Sequence, residues 1–153
     1  KVAVLLTREQ DAGPGPDERA AVANAAGPSA FVSIHLTQAA GSRVLILDPD
    51  EGRSVARSGT EAGDFLGFDA VSEQQQALWG TQQAPHAQES GRLGRALLRA
   101  LTGRDTAEPD QAPLVQLRSI AAAAVLVEVG TGLGRGQAAE AIARGIEHYV
   151  LEK

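Results

Sequence analysis

The chain contains no cysteine. Disulfides and thiolate metal sites are therefore excluded, and the absence suits an envelope compartment and the cytosol equally well. It has no apolar run of about 18 residues, so no segment reads as a membrane-spanning helix. No secretory signal pattern opens it either. Positive charge is scarce: 14 Lys and Arg stand against 19 Asp and Glu, a net charge of −5. That balance argues against a nucleic-acid partner, which would need a dense basic surface. Arg92, Arg95 and Arg99 lie three and four apart on one helical face and read as a solvated stripe.

Several catalytic signatures are also missing. There is no Walker-type phosphate loop, no Gly-x-Ser-x-Gly elbow and no His-Glu-x-x-His helix. The glycine run from Gly130 to Gly136 fails the dinucleotide-binding spacing. Counting from Gly130 the third required glycine falls on Arg135, and from Gly132 it falls on Gln137. It reads instead as a flexible strand-to-helix turn. Aromatics are few, and Trp79 is the single tryptophan.

What is present is an ordinary globular composition, 43% hydrophobic and 22% charged, over 153 residues. One domain, residues 1–153, accounts for that length. Residues 2–7 form an apolar run ended by Gly13-Pro14-Gly15-Pro16, which predicts a strand and then a loop. A single residue precedes this strand, so an upstream portion is expected, and its absence predicts an unpaired edge or an exposed apolar face. Asp17 is placed to cap a helix from Glu18 to about Ala26, closed by Gly27-Pro28. Strands are predicted at 30–35 and 43–47. The Gly-, Gln- and Ser-rich stretch 49–84 reads as loop with one short helix.

Leu93, Leu97 and Leu101 recur every four residues and predict an amphipathic helix over 88–101. A polar loop follows at 103–111, then a short extended segment or turn at 113–117. Residues 123–129 form a nearly continuous apolar run, as in a strand buried on both faces. Ala138, Ile142, Ile146, Tyr149 and Val150 share one side of a closing helix over 137–151. Alternating strands and helices predict an α/β fold, a three-layer α/β/α sandwich with a largely parallel mixed sheet.

In such sheets ligands bind beyond the carboxyl ends of the strands. His35 ends one strand and Glu128 lies near the end of another. A carboxylate inside Val-Leu-Val-Glu-Val-Gly is costly to bury unpaired, so it meets a cation or borders an open site. The plainer readings are a strand-capping His35 and a Glu128 paired with Arg8 or Arg19. His86, ahead of the leucine-rich helix, reads as a surface or helix-start residue, and His148 as structural. Trp79 is left open between groove lining and loop packing.

The order of these segments resembles the zinc-dependent N-acetylmuramoyl-L-alanine amidases (type 3 amidase family). Leu6-Thr7-Arg8-x-x-Asp11, Arg19-x-x-x-x-Asn24, Phe31-Val32-Ser33-Ile34-His35 and Val125-Leu126-Val127-Glu128-Val129-Gly130 carry the likeness. Ala112-Pro113-Leu114-Val115-Gln116-Leu117 adds to it. The resemblance implies hydrolysis of the amide between N-acetylmuramic acid and L-alanine in peptidoglycan, in the periplasm or the extracellular cell envelope. It implies a Zn2+ cofactor with His35 as one metal ligand, and Glu128 as the catalytic carboxylate. The family's other zinc His and its zinc Glu precede the Thr-Arg strand, so these ligands are expected upstream of Lys1, along with the family's first strand and helix. After Glu128 the chain reads Gly-Thr-Gly-Leu, where the family usually has Gly-Phe, a small residue and Asn. The alternative is an amidase-like module that binds peptidoglycan or a partner without cleaving it. A monomer is expected.

Overall fold

A computed structural model describes residues 2–11, 13–48 and 82–152. The stretch 49–81, with the expected short helix and Trp79, lies outside the described residues. Helix α1 spans Pro16–Ala26. It starts two residues earlier than Asp17 capping would place it. Pro16 needs no amide partner in the first turn, and Glu18 Oε2 accepts the Gly15 N–H at 2.9 Å. Gly27, in the left-handed conformation at φ 56°, ends the helix. Strand β1 is Ala30–Leu36 and β2 is Arg43–Leu47. A 3-10 turn, Ala84–His86, leads into helix α2, Ala87–Thr102.

The polar loop expected at 103–111 gives way at its end to a three-residue strand, β3, Asp110–Ala112. The segment after it is one helical turn, α3, Val115–Arg118, rather than an extended piece. Strand β4 is Ala123–Val129 and helix α4 is Arg135–Leu151. The sheet order is β1-β4-β2-β3. β1 and β4 run parallel, as do β2 and β3, while β2 and β4 are antiparallel. This is the expected mixed, largely parallel sheet.

β4 is the central strand, and its period-2 alternation sends side chains to both faces. Val125, Val127 and Val129 meet Leu93, Leu97, Ile142 and Tyr149 of α2 and α4. Ala124 and Leu126 meet Leu45, Leu47, Leu117 and the Ala20 and Ala23 pair of α1. Two helical layers thus sandwich the sheet. Gly145 lets α4 approach α2 closely, since a Cβ there would lie 2.9 Å from Leu97 Cα. At the far end of that helix pair, Tyr149 donates a hydrogen bond to Glu89 Oε2 at 3.0 Å. Burial, and then the Glu89 carboxylate, pushes the Tyr149 phenol from 10.0 up to about 12. The arginine stripe on α2 is solvated as expected, each guanidinium meeting a partly exposed carboxylate: Glu89, Glu108 and Asp105 in turn.

The predicted strand at 2–7 does not form. Residues 2–6 are irregular and exposed, Val4 at 79%. An extended segment becomes a strand only by pairing, and these residues pair with no strand among the described ones. The apolar exposure continues on β1, the terminal strand of the described sheet, where Ile34 is 55% and Leu36 63% exposed. An uncovered apolar surface was the expectation from sequence, and it is what these residues present. No helix among the described residues is long and apolar enough to cross a membrane.

Candidate active site

Register brings the two sequence-predicted residues together. His35 is the Cα partner of Glu128 on the adjacent parallel strand, so the two side chains leave the same face about 4.8 Å apart along the sheet. On the other side of β4, the antiparallel register places Arg43 opposite the same glutamate. His35, Glu128 and Arg43 therefore form a row across β1, β4 and β2. The row caps the apolar face made by Ala124, Leu126, Leu45 and Leu47.

The row is bound by specific contacts. Ser33 Oγ lies 3.0 Å from His35 Nε2, two residues back on the same face of β1. Arg43 NH1 stands 3.9 Å from Glu128 Oε2. Arg43 Nε donates to Asp110 Oδ2 on β3 at 2.9 Å, which extends the polar row across all four strands. Flanked by the buried Val127 and Val129, the Glu128 side chain keeps a third of its surface exposed. It stands at the mouth of the core, where a carboxylate avoids full desolvation. The partner of Glu128 is thus Arg43, not Arg8 or Arg19. Arg19 instead donates its Nε–H to the Pro14 carbonyl.

The glycines after β4 are not a flexible turn. They form a close backbone seam with the loop 37–42 that joins β1 to β2. Thr37 N donates to Val129 O, Thr131 N to Ala39 O at 2.8 Å, and Gly132 N to Ala40 O at 3.0 Å. Gly130 N donates to Ser42 Oγ. A Cβ at Gly130 would sit 2.4 Å from Gly41 O, and one at Gly132 2.7 Å from Ala40 O. Glycine is needed there for approach rather than for mobility. The seam lies directly beyond His35 and Glu128 and fixes the ends of their strands.

Comparison with known proteins follows this geometry. The family model described as N-acetylmuramoyl-L-alanine amidase matches residues 1–132. The chain belongs to this amidase family. Among solved structures, N-acetylmuramyl-L-alanine amidase Ami1 from Mycobacterium smegmatis is similar at a TM-score of 0.54 and 23% identity, over 96% of this chain and 66% of that one. Ami1 of Mycobacterium abscessus in its apo form gives 0.52 and 22%, over 94% and 66%. The catalytic domain of the amidase CwlV from Bacillus (Paenibacillus) polymyxa var. colistinus gives 0.50 and 18%, over 99% and 74%. At these identities the likeness is one of fold. No curated protein matches the chain.

A resident zinc in this amidase would need about three protein donors around one point. Among the described residues no three His, Asp or Glu side chains converge. The chain has three histidines, and only His35 is at the row. His86 precedes α2, whose first turn meets the start of β4, where Ser90 Oγ accepts the Ala124 N–H. That is about 13 Å down the strand from Glu128. His148 pairs with Glu152 at the end of α4, beside the Arg92 contact to the Glu152 carbonyl. The described residues therefore do not fit a complete zinc site.

Two members of the row, Arg43 and Asp110, escaped the sequence reading. The signal for Arg43 was its place at the head of a strand; its partner was invisible until the antiparallel β2–β4 pairing was known. The Thr7-Arg8 motif borders a separate, shallow cavity in the loop before α1, which Glu18 also lines.

Proposed function

We propose that this amidase hydrolyses the amide joining N-acetylmuramic acid to L-alanine in peptidoglycan, with Glu128 as its proton carrier. One observation supports the reading most: in a chain of this family, the register sets the Glu128 carboxylate beside the His35 imidazole at the carboxyl ends of adjacent parallel strands. Glu128 takes a proton from the attacking water and delivers it to the leaving L-alanine nitrogen. Its partial exposure suits that traffic, since substrate and water reach it directly. Peptidoglycan as substrate implies action in the periplasm or the extracellular envelope.

Zinc enters this reading as a cofactor that His35 alone does not hold. One imidazole binds the metal weakly, so further donors from outside the described residues are required. With His35 as its sole donor the protein would bind zinc weakly and turn over no muropeptide. Purified muropeptide and mass spectrometry of the released peptide test the assignment. In the zinc-replete protein, Glu128→Gln abolishes release and His35→Ala lowers zinc content. Unchanged zinc in His35→Ala would overturn the ligand assignment, and turnover by Glu128→Gln would overturn the catalytic one.

That only one imidazole stands at the row among the described residues also favours a second reading, an amidase-like module that binds peptidoglycan without cleaving it. Sedimentation with cell-wall sacculi, unaffected by Glu128→Gln and unaccompanied by release under any metal condition, would support that reading over hydrolysis.

A further inference from the structure

Arg43 holds an unusual position beside a carboxylate that has to move protons. It is the direct cross-strand partner of Glu128, where opposite side chains start about 5 Å apart at Cβ. At that range an unrestrained guanidinium closes on a carboxylate in a two-pronged pair, each oxygen accepting an N–H. It has not closed. Nε donates to Asp110 Oδ2 at 2.9 Å, and NH1 is left 3.9 Å from Glu128 Oε2, beyond hydrogen-bonding distance. Asp110 sits on β3, fixed by the parallel pairing of Leu45 with Asp110 and of Ile46 with Gln111. The backbone of Arg43 is fixed as well, with β4 on one side and Ser42, bound by the Gly130 N–H, preceding it.

We propose that Asp110 and Arg43 are a positioning pair for Glu128. Asp110 restrains the guanidinium by its Nε–H, so that Arg43 orients the carboxylate by charge at a distance without occupying its oxygens. The inference rests on the reading of Glu128 as proton carrier. A glutamate has three rotatable bonds, and leaving them free costs rate, because the proton must be met in one direction. A tight Arg–Glu pair would fix the side chain but engage the lone pairs that the attacking water needs. The standoff fixes the side chain and leaves those lone pairs available.

This makes a counterintuitive demand. Removing Asp110, which is two strands from Glu128, frees Arg43 to close on the carboxylate and slows the reaction. Crystal structures of the 153-residue chain give the first test. In Asp110→Ala the Arg43 guanidinium moves to within about 3 Å of Glu128. A guanidinium that keeps its distance, or turns to solvent, overturns the proposal. Kinetics of the zinc-replete protein on purified muropeptide give the second. Asp110→Ala and Arg43→Gln each lower kcat about fivefold, the rate equivalent of one cross-strand charge pair, with KM held within about twofold. Arg43→Lys recovers part of the loss. The double variant Arg43→Gln/Asp110→Ala is no slower than Arg43→Gln, because Asp110 acts only through Arg43. Losses that multiply, or an Asp110→Ala enzyme at wild-type kcat, overturn it.

Glu128→Gln in the same assay separates the two levels. If it is inactive while the Arg43 and Asp110 variants match wild type, only the positioning pair fails. If it turns over normally, or if the zinc-replete wild type releases nothing, the catalytic reading fails, and the crystal structures still decide whether Asp110 restrains Arg43.

Discussion

Gly130→Ala tests the seam that holds the site together. The new Cβ would lie 2.4 Å from Gly41 O, 2.6 Å from Gly41 C and 2.7 Å from Ala39 O. Ordinary carbon contacts begin near 3.5 Å, so the two backbones must part by about 1 Å. If the seam holds, the overlap is a packing strain of roughly 1–3 kcal/mol. If it opens, the bonds from Thr131 N, Gly132 N and Gly130 N to the 37–42 loop are lost, at about 1 kcal/mol net each. Both routes lead to a loss of about 2–3 kcal/mol. For a chain of this length that lowers Tm by roughly 4–12 °C. Urea titration followed by far-ultraviolet circular dichroism measures it, as a lower midpoint at unchanged slope. Amide exchange at Thr131 and Gly132 distinguishes the routes, because only an opened seam loses protection. Thr37 is two residues past His35 and Gly130 two past Glu128, so a shift of about 1 Å also reaches the site and lowers kcat by up to about 100-fold. Gly136→Ala is the control: a Cβ there meets nothing within 4 Å. If Gly130→Ala is as stable as this control, the seam does not constrain the strand ends and the reasoning is wrong.

Other consequences follow from the helix layer. In Gly145→Ala the added Cβ meets Leu97 Cα and Cδ2 at 2.9 Å. The strain of roughly 1–3 kcal/mol outweighs a helix-propensity gain of up to about 1 kcal/mol, and the denaturation midpoint falls. Tyr149→Phe removes the hydroxyl donated to Glu89, for a loss of about 1 kcal/mol in the same titration. Tyr149 also sets an alkaline limit. Its phenol titrates near 10 when unfolded and near 12 when folded, so between those values the unfolded chain has released a proton that the folded chain retains. Stability attributable to Tyr149 is complete below pH 10 and declines from pH 10 to 12, by on the order of 2 kcal/mol in total. Urea midpoints at pH 9 and pH 11 fall further apart for the wild type than for Tyr149→Phe.

Local pattern was enough to read the long elements. The four-residue leucine spacing located α2, and the unbroken apolar run at 123–129 located β4 with both faces buried. His35 and Glu128 were legible because a polar residue at the end of an apolar strand is out of place unless something meets it. What the sequence withheld was pairing. Arg8 and Arg19 are nearer to the helix and loop motifs than Arg43 is, yet only cross-strand register decides which guanidinium faces Glu128, and register is a tertiary property. β3 was unreadable for a similar reason: Asp110, Gln111 and Ala112 have no strand-like composition and are extended because β2 offers an edge. The failure at residues 2–7 is the converse case. Val2, Val4, Leu5 and Leu6 have the composition of a strand and, among the described residues, no partner to make them one. The glycines at 130–132 look flexible in sequence because close approach and freedom both call for a missing Cβ.

The incomplete donor set and the exposed apolar surface meet at one corner of the molecule. His35 lies on β1, the terminal strand of the described sheet, between Ile34 and Leu36, whose side chains leave the other face into solvent. On the opposite flank of Glu128 the row continues into Arg43, a fixed cation held by Asp110. Two strand spacings, roughly 10 Å, separate Arg43 from His35, and the flank between them is taken up by Glu128 and its charge partners, so among the described residues the open side of His35 faces the edge of β1. On the proposed reading, the donors that complete zinc binding would approach across the edge of β1, and a polypeptide segment that brought them there would pair with that edge. Zinc binding and burial of that edge then become one event. Protein in which the site is filled shows Ile34 and Leu36 protected from solvent labelling and His35 in the metal's coordination shell. Tight zinc binding with this edge still exposed would place the metal elsewhere and separate His35 from it.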